Sequence, residues 1–321
     1  MNHRLFGRLN WSVSDIGYGL WGMGGWSGSN DDESIASLER SIELGCTFFD
    51  TALAYGNGKS EQLLGRVLAK PRDTKLRIAT KIPPKNLRWP AKADYALDEV
   101  FPADHIRHST ETSLTNMGLQ SVDLQQFHVW TDAWADDDRW KRAVDDLKRE
   151  GLIRGFGISI NRWQPESVLK AISTGVVDSV QVVYNIFDQG PEDELFPMCR
   201  EKGVAVIARV PFDEGSLAGA IERGMSWPEG DWRNIYFTPE KIDETLDRVE
   251  ALRQDLPQQL SLPDAALRFI LSCPDVTTTI PGMRRIPHVE ANLVASDAGP
   301  LSPPLIEKLR KHRWSRTYTV P

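Results

Sequence analysis

Cys46-Thr47-Phe48-Phe49-Asp50 is a short apolar run ending in a carboxylate. After a polar loop comes Ser60-Glu61-Gln62-Leu63-Leu64-Gly65-Arg66-Val67-Leu68-Ala69. In the second stretch Leu63, Leu64, Val67 and Leu68 recur at helical spacing. The first stretch is too short for a helix and too apolar to alternate, so it reads as a strand covered on both faces. Together they make one strand–loop–helix unit. The unit recurs along the chain, with strands at 76–80, 122–127, 153–158, 177–183, 204–208 and 276–280 and helices at 103–117, 137–150, 165–174 and 192–202. The early run 15–20 brings the strands to eight. Alternating strands and helices imply parallel pairing through right-handed crossovers. Eight strands suit a closed (β/α)8 TIM barrel better than an open sheet. One such α/β domain accounts for residues 1–321, with Arg4 to Trp11 as a short hairpin plugging one end.

An open doubly wound sheet would place GxGxxG between its first strand and first helix. Gly17-Tyr18-Gly19-Leu20-Trp21-Gly22 has that spacing, but Met23-Gly24-Gly25-Trp26-Ser27-Gly28 follows and opens no helix. The glycines read instead as a close-packed strand end. Two connections are unusually long: 82–102, rich in Pro and Trp, and 211–238, rich in Gly, Trp and acid. Both leave the C-terminal end of a strand, where barrel enzymes keep their sites.

Bulk composition narrows the classes. The 321 residues are 40% hydrophobic and 26% charged, with a net charge of −7. A mildly acidic balance argues against a nucleic-acid binder. The three cysteines, Cys46, Cys199 and Cys273, are widely spaced and form no CxxC, so neither a disulfide framework nor a metal site is expected. No secretory h-region or membrane-length apolar run is visible, which makes a cytoplasmic location the default expectation.

The strand ends carry the chemistry. Asp50 ends the second strand, Tyr55 follows in its loop, Lys81 ends the third and His128 the fourth. In a parallel barrel these ends are neighbours. A phenol ionises near pH ~10, and a nearby ammonium lowers that value. A carboxylate would hold the ammonium and offset its burial. A histidine could orient a substrate oxygen. Taken singly, each has a plainer reading, as a cap, a surface charge or packing. Together at successive strand ends they suit proton donation to a carbonyl as hydride arrives at carbon.

The run Phe49-Asp50-Thr51-Ala52-Leu53-Ala54-Tyr55-Gly56-Asn57-Gly58-Lys59-Ser60-Glu61-Gln62-Leu63-Leu64-Gly65 resembles the signature of the aldo-keto reductase family. Ala79-Thr80-Lys81 and Leu124-Gln125-Gln126-Phe127-His128 are similar to the family's Lys and His segments. The likeness continues through Gly157-Ile158-Ser159, Gln181-Val182-Val183-Tyr184-Asn185 and Ile280-Pro281-Gly282. The resemblance implies a barrel that holds a nicotinamide cofactor without a Rossmann domain. It also implies Tyr55 as proton donor, Asp50 and Lys81 as the pair that tunes it, and His128 as the residue that positions the carbonyl. Trp21 joins the implied cofactor contacts. Ser159, Asn161 and Gln181 fall where the family meets the carboxamide. Ile160 stands where many members have Asn, so Asn161 either substitutes for it or caps the next helix. The segment from Gly282 and Met283 through Arg284 and His288 to Asn292 resembles the adenosine-phosphate clamp. There Arg284 would take the 2′-phosphate of NADP(H), with NAD(H) as the other possibility. On the plainer reading, Arg284 and Arg285 are surface charges. Arg209 replaces an aromatic residue common in the family. It either stacks on the nicotinamide, reaches the phosphates or sits in a salt bridge.

The function that follows is NADP(H)-dependent reduction of an aldehyde, ketone or sugar carbonyl, a small-molecule reaction with no nucleic-acid or membrane partner. Trp21, Trp26, Trp89 and Trp130 are candidates for an aromatic pocket wall. The competing readings are an NAD(P)+-dependent sugar dehydrogenase of the same fold and a redox-sensing regulatory subunit like the potassium-channel β-subunits. A barrel aldolase using Lys81 as a Schiff base ranks below both, because an ammonium paired with an acid is a poor nucleophile.

Overall fold

A computed structural model describes residues 1–25, 28–229, 231 and 233–316. The chain opens with an antiparallel hairpin of β1 (His3–Phe6) and β2 (Trp11–Ser14). It therefore extends beyond the expected Arg4–Trp11, and a single 3-10 turn at Gly7–Leu9 joins its arms. Eight parallel strands follow: β3 (Tyr18–Gly19), β4 (Phe48–Asp50), β5 (Arg77–Ile82), β6 (Val122–Phe127), β7 (Ile153–Ser159), β8 (Ser179–Val183), β9 (Ala205–Arg209) and β10 (Thr278–Thr279). They lie in sequence order in one sheet. The parallel bridges Ile16 to Thr279 and Gly19 to Gly282 join its two edges, so the sheet closes into the barrel the sequence predicts.

The first and last barrel strands are shorter than the runs 15–20 and 276–280. Their backbones still meet, through Gly17 N–H to Thr279 O (2.8 Å), Thr279 N–H to Asp15 O (3.0 Å) and Gly19 N–H to Pro281 O (3.0 Å). Pro281 has no N–H to return, so one rung is missing there before the bridge from Gly19 to Gly282. Gly19 is required at this seam. A Cβ at that position would lie 2.6 Å from the Ile280 carbonyl oxygen.

Several helices went unread in the sequence, and the reason is visible. The helix Asp31–Glu43 buries Ser34, Ser37, Leu38 and Ser41, a mostly hydroxyl face that gives little hydrophobic periodicity. Asn30 caps it by accepting from Glu33 N–H. The helix Pro239–Asp255 is charged on all but one narrow face of Ile242, Thr245, Val249 and Leu252. The expected helix 165–174 is a 3-10 turn, Pro165–Val168, running into a short helix, Leu169–Ser173. Each long connection carries a short helix, Leu97–Val100 in the first and Arg233–Tyr236 in the second. No helix among the described residues is long and apolar enough to cross a membrane.

Two apolar clusters sandwich the barrel wall. Outward side chains such as Phe49, Ile78, Phe127, Ile158 and Val206 pack with the helices. Inward ones, Phe48, Ala79, Leu124, Ala205, Ile207 and Ile280, pack with Phe6 and Val13 of the hairpin. The hairpin thus floors the N-terminal end and leaves the C-terminal mouth for the site. The tight seam at Gly19 implies that Gly19→Ala should destabilise the protein by about 1–3 kcal/mol. Urea denaturation should show a lowered midpoint with an unchanged slope, and an unshifted midpoint would mean that the seam can part freely.

Candidate active site

Side chains on a strand alternate, so a residue two places beyond an inward one is also inward. Two residues above the apolar layer four strands become polar: Phe48 leads to Asp50, Ala79 to Lys81, Leu124 to Gln126 and Ile207 to Arg209. On β7 and β8 the same layer holds Ser159 and Gln181, which are register partners. The barrel therefore presents a ring of polar groups immediately above its hydrophobic filling.

At the centre of the ring is Lys81, whose side chain is fully buried. Its ammonium donates to Asp50 Oδ2 (2.5 Å), to the Thr51 carbonyl (2.8 Å) and to Tyr55 Oη (3.4 Å). An ammonium has three donors, and all three are used. Asp50 Oδ1 accepts from Gln126 Nε2 (3.2 Å) and Gln181 Nε2 (2.8 Å). Gln126 was not singled out from the sequence. Its position two residues before His128, on the same face of an otherwise buried strand, was the available signal.

Tyr55 accepts from Lys81, so its own O–H remains free to donate. The ammonium pulls the phenol pKa down as the sequence predicts, but burial outweighs it and the nearby Asp50 carboxylate opposes it. The pKa lies above its ordinary value, and Tyr55 therefore keeps its proton at neutral pH. His128 stands beside it, with ring centroids 5.6 Å apart and planes at 73°. Trp89 meets the other side of the imidazole edge-on at 4.5 Å. Burial first, then the charges of Lys81 and Arg209, push the His128 pKa well below normal, so the imidazole is neutral. Its Nδ1 is buried without a partner.

Asp50, Tyr55, Lys81 and His128 thus meet at one mouth, and the arrangement can deliver a proton to an oxygen resting against Tyr55 and His128. The Aldo/keto reductase family model matches residues 15–313. The chain belongs to the aldo/keto reductase family. It is 27% identical over 305 residues to the NADH-specific methylglyoxal reductase of Escherichia coli, which spans 90% of this chain and 91% of that protein. It is 28% identical over 301 residues to aldo-keto reductase yakc (NADP(+)) of Schizosaccharomyces pombe, spanning 89% of this chain and 84% of that one. Among solved structures it is similar to the holo form of aldo-keto reductase AKR11C1 from Bacillus halodurans, with a TM-score of 0.77 and 27% identity over 99% of this chain and 98% of the other.

The remaining residues expected of an aldo/keto reductase are less uniform. Asn161 neither faces the mouth with a free amide nor caps a helix. Its Nδ2 donates to the carbonyls of Ala91 and Trp130 and to Gln164 Oε1, each at 3.0 Å. It pins the loop after β5 to the loop after β6. The Met283 side chain is buried in the core, and its carbonyl accepts from Tyr18 Oη (2.7 Å). Trp130 is likewise core, packed on Phe127, Trp134 and Trp140. Trp21 and Trp89 are 41% and 43% exposed at the rim, whereas Trp26 lies outside the described residues. Arg209 forms no salt bridge among the described residues. Its Nη2 donates to Ile160 O (3.1 Å), its Nε is buried without a partner, and burial pulls its pKa down to about 10.

At the start of the helix Ile286–Ala298 the two arginines divide. Arg285 faces Glu33 at 3.7 Å, as a surface charge would. Arg284 is half-buried and makes no hydrogen bond or close ion pair among the described residues. Its Cδ lies over Gly22 and its Nη2 near Gly28, and the charges of Arg285, Arg233 and Glu33 act on it. His288 and Asn292 follow one turn apart on the same helix, and Gly282 precedes with open space around its Cα.

The depressed His128 pKa has a consequence for stability. In the unfolded chain the imidazole binds a proton near pH ~6.5, and in the native state it does not. The unfolded state therefore binds more protons as the pH falls, and stability declines below that value. His128→Asn should flatten this decline between about pH 7 and about pH 5. Urea unfolding of both proteins at both pH values measures it, and equal losses would mean that the native imidazole protonates normally.

Proposed function

We propose that this protein is an NADP(H)-dependent reductase that converts an aldehyde, ketone or sugar carbonyl to the alcohol, with Tyr55 as the proton donor. The observation that carries this reading is Lys81, a buried ammonium shared between Asp50 and a phenol whose proton is retained. The mouth also fits a nicotinamide dinucleotide. It holds unsatisfied buried polar atoms, Arg209 Nε, His128 Nδ1 and Gln126 Oε1. Near it stands Arg284, half-buried and in no close ion pair among the described residues. Such groups are normally paired, and a polar ligand is what pairs them.

When bound, the reduced nicotinamide supplies a hydride. Every other part is played by the chain. Ser159 and Gln181, register partners on adjacent strands, would hold the nicotinamide carboxamide. His128, being neutral, hydrogen-bonds the carbonyl oxygen without competing for its proton. Tyr55 gives up its proton as negative charge grows on that oxygen. Lys81 then faces a phenolate, which it stabilises as a fixed positive charge in a low-dielectric site. Asp50, Gln126 and Gln181 keep the ammonium aimed. Trp21 and Trp89 offer aromatic walls at the rim.

The names of the two relatives point to opposite cofactors. What supports NADP(H) here is Arg284, an arginine fork suited to phosphate at a helix start. His288 and Asn292 would flank the adenosine on the same helix.

Tyr55→Phe should keep nicotinamide binding and lose turnover by about 10²–10⁴-fold. The test is NADPH consumption across aldehydes, ketones and sugars, with dinucleotide binding read separately. Near-wild-type turnover in that variant would refute the assignment. Arg284→Ala should weaken NADPH by about tenfold or more, the scale of one lost charge-assisted contact, and leave NADH nearly unchanged. Fluorescence titration with both dinucleotides decides it, and equal weakening would remove the 2′-phosphate role.

A further inference from the structure

The segment after β9 has an unusual backbone. Val210, Asp213 and Glu214 have positive φ values of 56°, 46° and 56°, followed by Gly215 at 108°. For a β-branched residue such as Val210 this is an outlier. Strained backbone persists only where its surroundings over-determine it, and here the restraints can be named. Glu214 is paired with Arg162 of the loop after β7. Asn185 Nδ2 donates to the Val210 carbonyl (3.0 Å) and to Asp188 Oδ2 (3.2 Å). Asp213 accepts from Ser216 Oγ (2.6 Å).

The element that joins these restraints comes from the far end of the chain. Arg316, whose side chain is 1% exposed, reaches Asp213 Oδ1 at 2.6 Å and Asp188 Oδ2 at 3.5 Å. Its Nη1 donates to Tyr236 Oη (2.8 Å). The guanidinium lies over the rings of Trp314 (4.3 Å) and Phe187 (5.7 Å). One cation thus ties the loop after β8, the strap Val210–Ala218 and the helix Arg233–Tyr236 to the C-terminal segment. Its connection to the mouth is short. Arg316 meets Asp188, Asp188 meets Asn185, Asn185 holds the carbonyl of Val210, and Val210 follows Arg209. The Arg209 guanidinium bears on both Tyr55 and His128.

The geometry points to Arg316 as a positioning residue for the dinucleotide site. It latches the strap in its strained conformation and so sets Arg209 against the mouth. It touches no reacting atom and acts through Asp213, Asp188 and Asn185. The effect on NADPH rests on the function proposed above, whereas the latch itself does not.

The test pairs hydrogen exchange with titration. In ligand-free Arg316→Met, amide exchange should rise across residues 210–219 and stay unchanged in β5 and β6. NADPH affinity should fall by tenfold or more, and Arg316→Lys should recover part of it. Arg316→Met leaves two buried aspartates facing one another, so Arg316→Met/Asp213→Asn is made in parallel to relieve that charge. It should fold like wild type and still show the loosened strap. Added to Arg209→Met, Arg316→Met should weaken NADPH little further, because the two lie on one line of coupling. Unchanged exchange in 210–219 would overturn the latch. So would a rise spread evenly over the barrel, which would make Arg316 a general staple. A loosened strap with unaltered NADPH affinity would overturn its positioning role. Exchange is read without ligand, so a wild type that ignored NADPH would sink the functional reading and leave the latch standing.

Discussion

A fully buried ammonium cannot stand alone, and the catalytic end of this barrel is organised around that fact. Desolvating Lys81 carries a penalty of several kcal/mol, which only close anionic and polar partners offset. Asp50, the Thr51 carbonyl and Tyr55 supply all of them. The carboxylate then needs its own second oxygen satisfied, and Gln126 and Gln181 reach in from β6 and β8 to do so. One charge thereby fixes side chains from four strands. The position of the phenol is a by-product of solvating the lysine, so the phenol and the ammonium beside it are held together.

The barrel makes this arrangement possible by a simple step. Each inward residue of the floor layer is followed two places later by an inward residue of the mouth layer. The hairpin packs Phe6 and Val13 against the floor layer, at the end away from the polar mouth. The change from Phe48, Ala79, Leu124 and Ile207 to Asp50, Lys81, Gln126 and Arg209 is a change of solvent environment over one pleat repeat. It also explains why the strands read as apolar runs ending in chemistry.

That pattern is why the fold and the tetrad were legible. Strand–helix alternation and the strand-end residues are local in sequence, and so is the signature from Phe49 to Gly65. What stayed hidden depends on contacts made across the barrel. The helix Asp31–Glu43 buries serines and leaves no hydrophobic stripe to read. Asn161 sits within two residues of Ser159, but its amide is taken by carbonyls some 30 and 70 positions away. Met283 lies in the middle of the clamp segment, and its side chain turns into the core. The ion pair between Arg316 and Asp213 joins residues more than 100 apart, and nothing periodic announces it.

The protonation state of Tyr55 follows from which effect wins there. If the Lys81 ammonium dominated, the phenol would ionise readily and the site would be poised as a base to oxidise alcohols. Burial dominates instead, and the Asp50 carboxylate that anchors the lysine also cancels part of its field on the phenol. Arg209 adds positive charge to the mouth, yet it too is desolvated and its influence on Tyr55 is the smaller one. His128 is kept neutral by the same burial and the same cations, so it cannot act as a competing acid. The mouth therefore holds a protonated phenol, Tyr55, with the Lys81 ammonium beside it. In the carbonyl reduction proposed above, the proton that the new alcohol gains is the one already held on Tyr55.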